Sequence, residues 1–329
     1  MSTRRRIRRR FRRQALTRRE FLAAAAAAPL LTACRSSGSP DACTAQRKAW
    51  AQQAYFEWLP IREQRPDDYN FIYRSFAFGG LADVVMLDTR LQRDAAPADY
   101  PPPCEPSLTD PNRKLLGDAQ EQWLFEALRT SRAQWRVVGS SVMFGQWKVW
   151  GAPNGESCGG QYLNADQWDG FQVNRQRVMD VLSGGAGHAR VGNCVFLAGD
   201  IHSAWGLDVV DDPNNPAVYN PATGGGSLAV EFVCDSITSE FPLPESSGGE
   251  AFMAGNPHVK YLRTAKRGYL LLDLTPQRVQ GEWWYVDAVN VPVDAESFGA
   301  AFSTTDGANH LVRELSASAP KSDPPPPAP

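Results

Sequence analysis

A carboxylate and an imidazole stand two residues apart directly after an apolar run of the chain. The run Cys194–Ala198 has the continuous hydrophobicity of a central strand, and Gly199, Asp200, Ile201 and His202 follow it. Aspartate oxygens and neutral histidine nitrogens both bind divalent and trivalent metal ions, and a glycine lets the backbone turn at a strand end. The motif therefore predicts a metal site. The alternative is that Asp200 caps a turn and His202 is a partly buried histidine without a ligand.

The segments that must position this motif predict a mixed α/β protein. Helical spacing of apolar residues predicts helices at 44–59, 118–131 and 171–182. Strand-like runs occur at 84–87, 135–144, 194–198, 207–210, 228–234, 269–274 and 279–285. The last two runs flank Thr275-Pro276 and predict a hairpin. Ligands of layered α/β folds bind at the carboxyl ends of strands, which is where Asp200 and His202 stand.

The first 33 residues have the layout of an export signal. Ten arginines and no acidic residue occupy positions 1–19, and an apolar run from Phe21 to Leu31 follows Glu20. The segment around Arg18 and Arg19 resembles a twin-arginine signal. Leu31 to Cys34 resembles the lipobox of bacterial lipoproteins, which predicts lipidation of Cys34. We expect an exported protein of the periplasm or cell envelope, held to the membrane through that lipid. An arginine-rich leader with an unmodified cysteine is the alternative.

The charge of the remaining chain argues against a nucleic-acid partner. The whole sequence has 34 basic and 36 acidic residues, and without residues 1–33 it has 24 and 35, a net charge of −11. Nucleic-acid binding depends on clustered cations that neutralise phosphates. We expect residues 34–43 to be a polar spacer, 44–315 to form one domain and the proline-rich tail 316–329 to be disordered or polyproline-like.

The cysteines show no CxxC pair, so the sequence does not predict a structural zinc site. In an oxidising compartment a disulfide among Cys43, Cys104 and Cys158 is plausible, with the pairing open. Cys194 and Cys234 lie within apolar runs and are predicted to be buried thiols.

A resemblance to a known family rests on nine strings that occur in the family's order. Together they cover roughly residues 50 to 289. They are "YFEWLPIRE", "RSFAFGGLADVVMLDTR", "QEQWLFEAL", "WRVVGSSVMF", "WDGFQVNRQRV", "VFLAGDIHSAW", "EFVCDSITS", "NPHVKYL" and "RGYLLLDLT". On these strings the chain resembles the PhoD-like alkaline phosphatases, a branch of the metallophosphoesterase superfamily.

The resemblance implies hydrolysis of phosphate mono- and diesters at a bridged metal centre that uses iron and calcium. It also implies a four-layer α/β/β/α sandwich and export by the twin-arginine route. Asp200 and His202 match the family's downstream metal motif, with His202 supporting the metal or positioning the leaving oxygen. Asn256 and His258 match a second string and are weaker candidates as metal ligands or their neighbours.

Four further residues match strings that could line the substrate site: Arg90, Arg93, Asp169 and Arg175. A guanidinium there could bind a phosphate through two hydrogen bonds. The alternative is pairing of arginine with aspartate between loops. His188 and His310 are read as surface loop residues.

The sequence departs from the family upstream of the motif. A bridged two-metal centre needs about six to eight donors, and the family draws half of them from strands that precede the "YFEWLP" helix. Only Arg35 to Cys43 separate the lipobox-like segment from that helix. We therefore expect the sandwich to be incomplete in its N-terminal half, with exposed strand edges and self-association. The alternative function is a catalytically incomplete, lipid-anchored remnant with a structural or interaction role.

Overall fold

The computed structural model describes residues 40–65, 68–97, 101–150, 158–162, 164–185, 187–241, 253 and 255–322. The predicted export signal, Arg18, Arg19, Cys34 and residues 323–329 of the tail lie outside these ranges. Within the described ranges, no helix is long and apolar enough to cross a membrane.

The chain divides into two compact units, residues 1–71 and 72–329. In the first, helix α1 spans Pro40–Trp58, which confirms the predicted helix at 44–59. The side-chain amide of Gln52 donates hydrogen bonds to the Asn70 side chain at 2.9 Å and to the Tyr69 carbonyl at 3.2 Å. The rings of Phe56 and Tyr69 stack with their centroids 5.2 Å apart, so the residues after the helix fold back onto it.

The second unit contains two larger helices and thirteen strands among its described residues. The helices are α2, Asp118–Thr130, and α3, Gln172–Ser183. The strands are β1 Arg74–Phe78, β2 Ala82–Met86, β3 Trp135–Gly139, β4 Lys148–Trp150, β5 Gln161–Tyr162, β6 Cys194–Ala198, β7 Ala204–Val209, β8 Ala229–Val233, β9 Val259–Arg263, β10 Gly268–Leu274, β11 Arg278–Val286, β12 Glu296–Thr305 and β13 Val312–Glu314.

Seven strands form the main sheet in the order β1-β2-β3-β6-β8-β7-β9. The four strands β2, β3, β6 and β8 pair in parallel, while β1, β7 and β9 pair antiparallel to their neighbours. Strand β8 is buried along its whole length, as expected for a central strand covered on both faces. Strands β10 to β13 form a second, antiparallel sheet that includes the predicted hairpin β10–β11.

The two sheets pack face to face and the helices cover the other side of the main sheet. Val195, Val230 and Phe232 of the main sheet share one apolar cluster with Val279 and Trp283 of the second. At Gly281 the sheets approach so closely that a Cβ atom would lie 2.4 Å from the Phe232 ring. Residues of α2 and α3 belong to a separate cluster on the opposite face. The described residues of the second unit thus form three layers. This confirms the predicted α/β sandwich, with one layer fewer than the four that the resemblance implies.

Two tryptophans link the sheets by hydrogen bonds as well as by packing. The indole N–H of Trp135, on β3, donates to the Thr275 carbonyl at 2.6 Å, and that of Trp283, on β11, donates to the Val233 carbonyl at 2.9 Å. Buried indoles need such acceptors. These bonds fix the second sheet against the parallel strands that carry the site.

The predicted strand at 135–144 is too long, because β3 ends at Gly139. Beyond it, buried side chains replace a neighbouring strand as hydrogen-bond acceptors. Gln167 accepts from the Met143 amide at 3.2 Å, and Glu231 accepts from the amides of Phe144 and Gly145 at 2.8 and 2.7 Å. Residues 140–146 are therefore an ordered loop although their composition is strand-like.

Strand β1 forms the outer edge of the described main sheet. Phe76 and Phe78, on this strand, are 49% and 60% exposed, and Met86 of β2 is 41% exposed. Exposed apolar edges of this kind favour pairing with another chain.

Candidate functional site

The parallel strands place three aspartates at one edge of the main sheet. Asp88, Asp200 and Asp235 each follow the last residue of a parallel strand by two positions, after β2, β6 and β8. Ala198 and Val233 are paired in register, so the two neighbouring strands end level with each other. Carboxyl ends of parallel strands are the usual ligand-binding edge of such sheets. Of these three aspartates, the sequence motif predicts only Asp200 as a ligand; the equal offset from a buried run is the signal for the other two.

Asp88 and Asp235 are buried and differ in their bonding. One Asp88 oxygen accepts from the amides of Arg90 and Leu91, both at 2.9 Å, which fixes the turn after β2. The other Asp88 oxygen and one Asp235 oxygen have no hydrogen-bond partner among the described residues. Burial raises the pKa of Asp235 to about 6. Buried carboxylate oxygens without partners are rare and costly.

Asp200 lies in a tight turn at the end of β6. The Ile201 amide donates to the Gly199 carbonyl at 2.8 Å, and the residue between them, Asp200, has φ +68°. A three-residue turn with a positive central φ is rare and strained. His202 also has a positive φ, +61°. Residues in such conformations cost of order 1–3 kcal/mol and cluster at functional sites, so the strain falls on the two predicted ligands.

His202 is half-buried, and its Nδ1 lies 3.2 Å from the Glu240 carbonyl oxygen. A carbonyl can only accept, so Nδ1 is the donor in this contact, which leaves Nε2 on the other side of the ring. Histidines that bind metals commonly donate their second N–H to a carbonyl in this way. This hydrogen bond is compatible with both interpretations of His202, a metal ligand and a partly buried histidine without a ligand.

A chain of ion pairs joins Asp200 to the first two predicted arginines. Arg90 binds Asp200 Oδ1 at 3.1 Å and Asp166 Oδ2 at 2.6 Å through its two terminal nitrogens. Arg93 binds Asp166 Oδ1 at 2.5 Å and the Asp166 carbonyl at 2.9 Å. Burial works against the charge on Asp166, yet its bonds to Arg90 and Arg93 bring its pKa below the ordinary value. The predicted alternative, pairing between loops, is therefore present, and it occurs beside Asp200.

Asp169 and Arg175 belong to a different, buried network. An oxygen of Asp169 accepts from the Trp147 amide at 3.0 Å, and burial raises the pKa of this carboxyl to about 7. The Arg175 guanidinium donates to the carbonyls of Phe144 and Val210 at 3.1 and 2.6 Å. Within the described ranges, no hydrogen bond or ion pair joins either residue to the Asp200 group. Their bonding is that of a scaffold under the loop at 140–148.

Asn256 and His258 lie in the same scaffold. The Asn256 side chain accepts from the Lys148 amide at 2.9 Å and donates to the Lys148 carbonyl at 2.8 Å. His258 Nε2 donates to the Gln146 carbonyl at 2.8 Å, and burial lowers the pKa of this imidazole to about 3. The His258 Nδ1 has no hydrogen-bond partner among the described residues. Their role as ligands stays a prediction.

The described cysteines and the remaining histidines follow the predictions except for Cys234. A disulfide joins Cys104 to Cys158, one of the pairings left open. Cys194 is a buried thiol, whereas Cys234 is only partly buried. His188 is exposed and His310 is partly exposed.

Only part of a metal centre can be built from these residues. The described part of the chain contains no group of three or more histidine, cysteine, aspartate or glutamate side chains that could hold an ion. Asp200 and His202 supply two donors of suitable chemistry, one of them already paired with Arg90. A bridged pair of ions needs about six to eight. The described residues alone therefore do not fit such a pair.

The sequence and the fold together identify the family. Residues 34–283 match the family described as PhoD-like phosphatase. The chain belongs to the PhoD-like phosphatase family. It is 33% identical over 260 residues to alkaline phosphatase D of Bacillus subtilis (strain 168), an alignment covering 78% of this chain and 42% of that protein.

A solved structure described as "Structure of PhoD" has the same fold. It superposes with a TM-score of 0.69 at 29% identity and covers 87% of this chain and 52% of that one. The chain thus spans about half the length of the PhoD-like relatives it matches.

Proposed function

We propose that this chain acts as a metal-dependent phosphoester hydrolase of the PhoD-like type. The observation that carries the proposal is the grouping of Asp200 and His202, both in strained backbone conformations, with the guanidinium of Arg90 at the carboxyl edge of the parallel strands. The similarity to alkaline phosphatase D supports the same reaction class.

The chemistry of this group suits a phosphoester. The guanidiniums of Arg90 and Arg93 would bind phosphoryl oxygens through paired hydrogen bonds and offset their negative charge. Asp200 and His202 would contribute two ligands to the metal centre. A divalent or trivalent ion held there, with further ligands from outside the described residues, would supply Lewis-acid chemistry toward the phosphoryl oxygens. Iron and calcium are the proposed ions because the resemblance implies them.

Hydrolysis of an aryl phosphate monoester and of an aryl phosphate diester tests this function. We expect release of the aryl alcohol by the purified chain, dependence on added metal, and at least a hundredfold loss in Asp200→Asn. Asp118→Asn is the matched control, because Asp118 is an exposed aspartate that also pairs with one cation, Lys114. A folded, metal-supplemented chain that hydrolyses neither ester contradicts the proposal.

The exposed edge of β1 supports a second candidate, a lipid-anchored protein with a structural or interaction role. Among the described residues, Phe76 and Phe78 lie on an edge strand with no outer neighbour and are exposed. A second copy of the chain could add to this edge through antiparallel pairing. This candidate predicts oligomers that dissociate in Phe78→Lys and an oligomeric state that does not depend on Asp200. Sedimentation of both variants separates it from the hydrolase.

Export by the twin-arginine route, the lipid on Cys34 and a place in the periplasm or cell envelope complete the proposal. They rest on the leader sequence. Labelling cells with a radioactive fatty acid tests them: we expect the label on the wild-type chain and its loss in Cys34→Ala.

A further inference from the structure

Asp166 binds both predicted phosphate-binding arginines with a single carboxylate. Its Oδ1 contacts Arg93 at 2.5 Å and its Oδ2 contacts Arg90 at 2.6 Å. Two guanidiniums this close would repel each other without a shared counter-charge. Each guanidinium has five N–H donors, so donors remain for a ligand after these contacts.

The segment that carries Asp166 is fixed from several sides. The Asp166 amide donates to the Asn164 side chain at 2.9 Å. The next residue, Gln167, is buried and accepts from the Met143 amide. Trp168 is fully buried, and its indole N–H donates to the Ser140 hydroxyl at 3.2 Å, just beyond the end of β3. The carboxylate is therefore held against the same sheet edge as Asp200.

We propose that Asp166 is a positioning residue that holds Arg90 and Arg93 side by side as one binding site for the phosphoryl group of the ester. The proposal rests on the proposed function and deepens it. Arg90 spans from Asp166 to Asp200, so this arrangement places the phosphoryl group next to the predicted metal ligand.

The Asp166→Asn variant distinguishes two roles of Asp166, because a purely electrostatic role and a positioning role predict opposite changes in phosphate binding. Removal of a negative charge beside an anion site, if charge alone mattered, would strengthen phosphate binding. If Asp166 positions the pair, the amide oxygen can accept from only one arginine while the amide nitrogen faces the other. The arginines then separate and phosphate binding weakens.

Calorimetric titration with inorganic phosphate tests the positioning role without requiring turnover. We expect Asp166→Asn to raise the dissociation constant of phosphate about tenfold and the KM for an aryl phosphate similarly, with kcat changed less than threefold. Asp166→Glu keeps a carboxylate for both arginines and should bind phosphate within threefold of the wild type. Asp118→Asn serves again as the control and should bind phosphate like the wild type.

The outcomes separate this inference from the function on which it rests. Phosphate binding by Asp166→Asn that equals or exceeds the wild type overturns the positioning role, even if the wild type hydrolyses esters. A wild type that does not bind phosphate at millimolar concentration overturns it too. A wild type that binds phosphate but hydrolyses no ester contradicts the proposed function, while weaker phosphate binding in Asp166→Asn still supports the role of Asp166.

Discussion

Glu231 offers a sharp test of how the loop beside the site is held. This residue of β8 is fully buried, and its two oxygens accept from the amides of Phe144 and Gly145. Burial raises the pKa of Glu231 to about 7 from an ordinary value of 4.5. In Glu231→Gln one oxygen can still accept, but the side-chain amide faces the second N–H. One buried N–H without an acceptor costs about 2 kcal/mol.

The pH dependence of this effect follows from the raised pKa. A carboxyl that holds its proton more tightly in the folded state contributes stability below the unfolded pKa of 4.5 and loses it as pH rises through about 7. The loss over this window is about 3 kcal/mol, since each pKa unit corresponds to about 1.4 kcal/mol. Glutamine does not titrate. At pH 5 the wild type has already lost about 0.8 kcal/mol of this stability, because the unfolded carboxyl is mostly ionised there. We therefore expect Glu231→Gln to be about 1 kcal/mol less stable than the wild type at pH 5 and about 1 kcal/mol more stable at pH 8.

Urea unfolding followed by tryptophan fluorescence at pH 5 and pH 8 measures both values. Glu126→Gln, an exposed position on α2, is the matched control and should change stability by less than about 0.5 kcal/mol at either pH. If the deficit of Glu231→Gln grows between pH 5 and pH 8, the buried carboxylate is stabilised in its charged form, and the argument from burial is wrong.

Three further substitutions test other parts of the structure. Asp200→Gly should relieve the positive φ and keep or raise the melting temperature while hydrolysis is lost, so a clear drop in melting temperature would contradict the strain at that turn. Cys104→Ser removes a disulfide to Cys158 that closes 54 residues, and thermal unfolding should show a loss of about 4 kcal/mol that disappears when wild type and variant are both reduced. Gly281→Ala places a Cβ atom 2.4 Å from the Phe232 ring and should destabilise by about 1–3 kcal/mol in urea; a neutral effect would show that the two sheets can separate at that point.

The sequence predicts the elements whose pattern of apolar residues is clear and whose pairing partner lies nearby in the chain. Strand β6 and the hairpin β10–β11 are read correctly because their runs are strongly apolar and bounded by turn residues. Strand β12, Glu296–Thr305, was missed because small residues such as Gly299, Ala300 and Ala301 give it little strand character. Its stability comes from nine register pairs with β11, which no local pattern shows.

The candidate site also has a part that the sequence predicts and a part that it does not. Asp200 and His202 stand together in the sequence, so their proximity could be predicted. The joining of Arg90 to Asp166 spans 76 positions and depends on where two loops meet, which a single sequence does not reveal. Asp169 and Arg175 have the same residue types as that pair, yet they became part of the buried scaffold, because residue type alone does not determine which side of a loop faces the core.

Trp283 links the second sheet to the carboxyl edge of the main sheet. Its indole ties β11 to the carbonyl of the residue that ends β8, two positions before Asp235. If the second sheet packed differently, the backbone at Val233 would move. Asp235, which has one oxygen without a partner among the described residues, would move with it. Substitutions on the second sheet could therefore change the position of Asp235 although they lie on a different sheet from it.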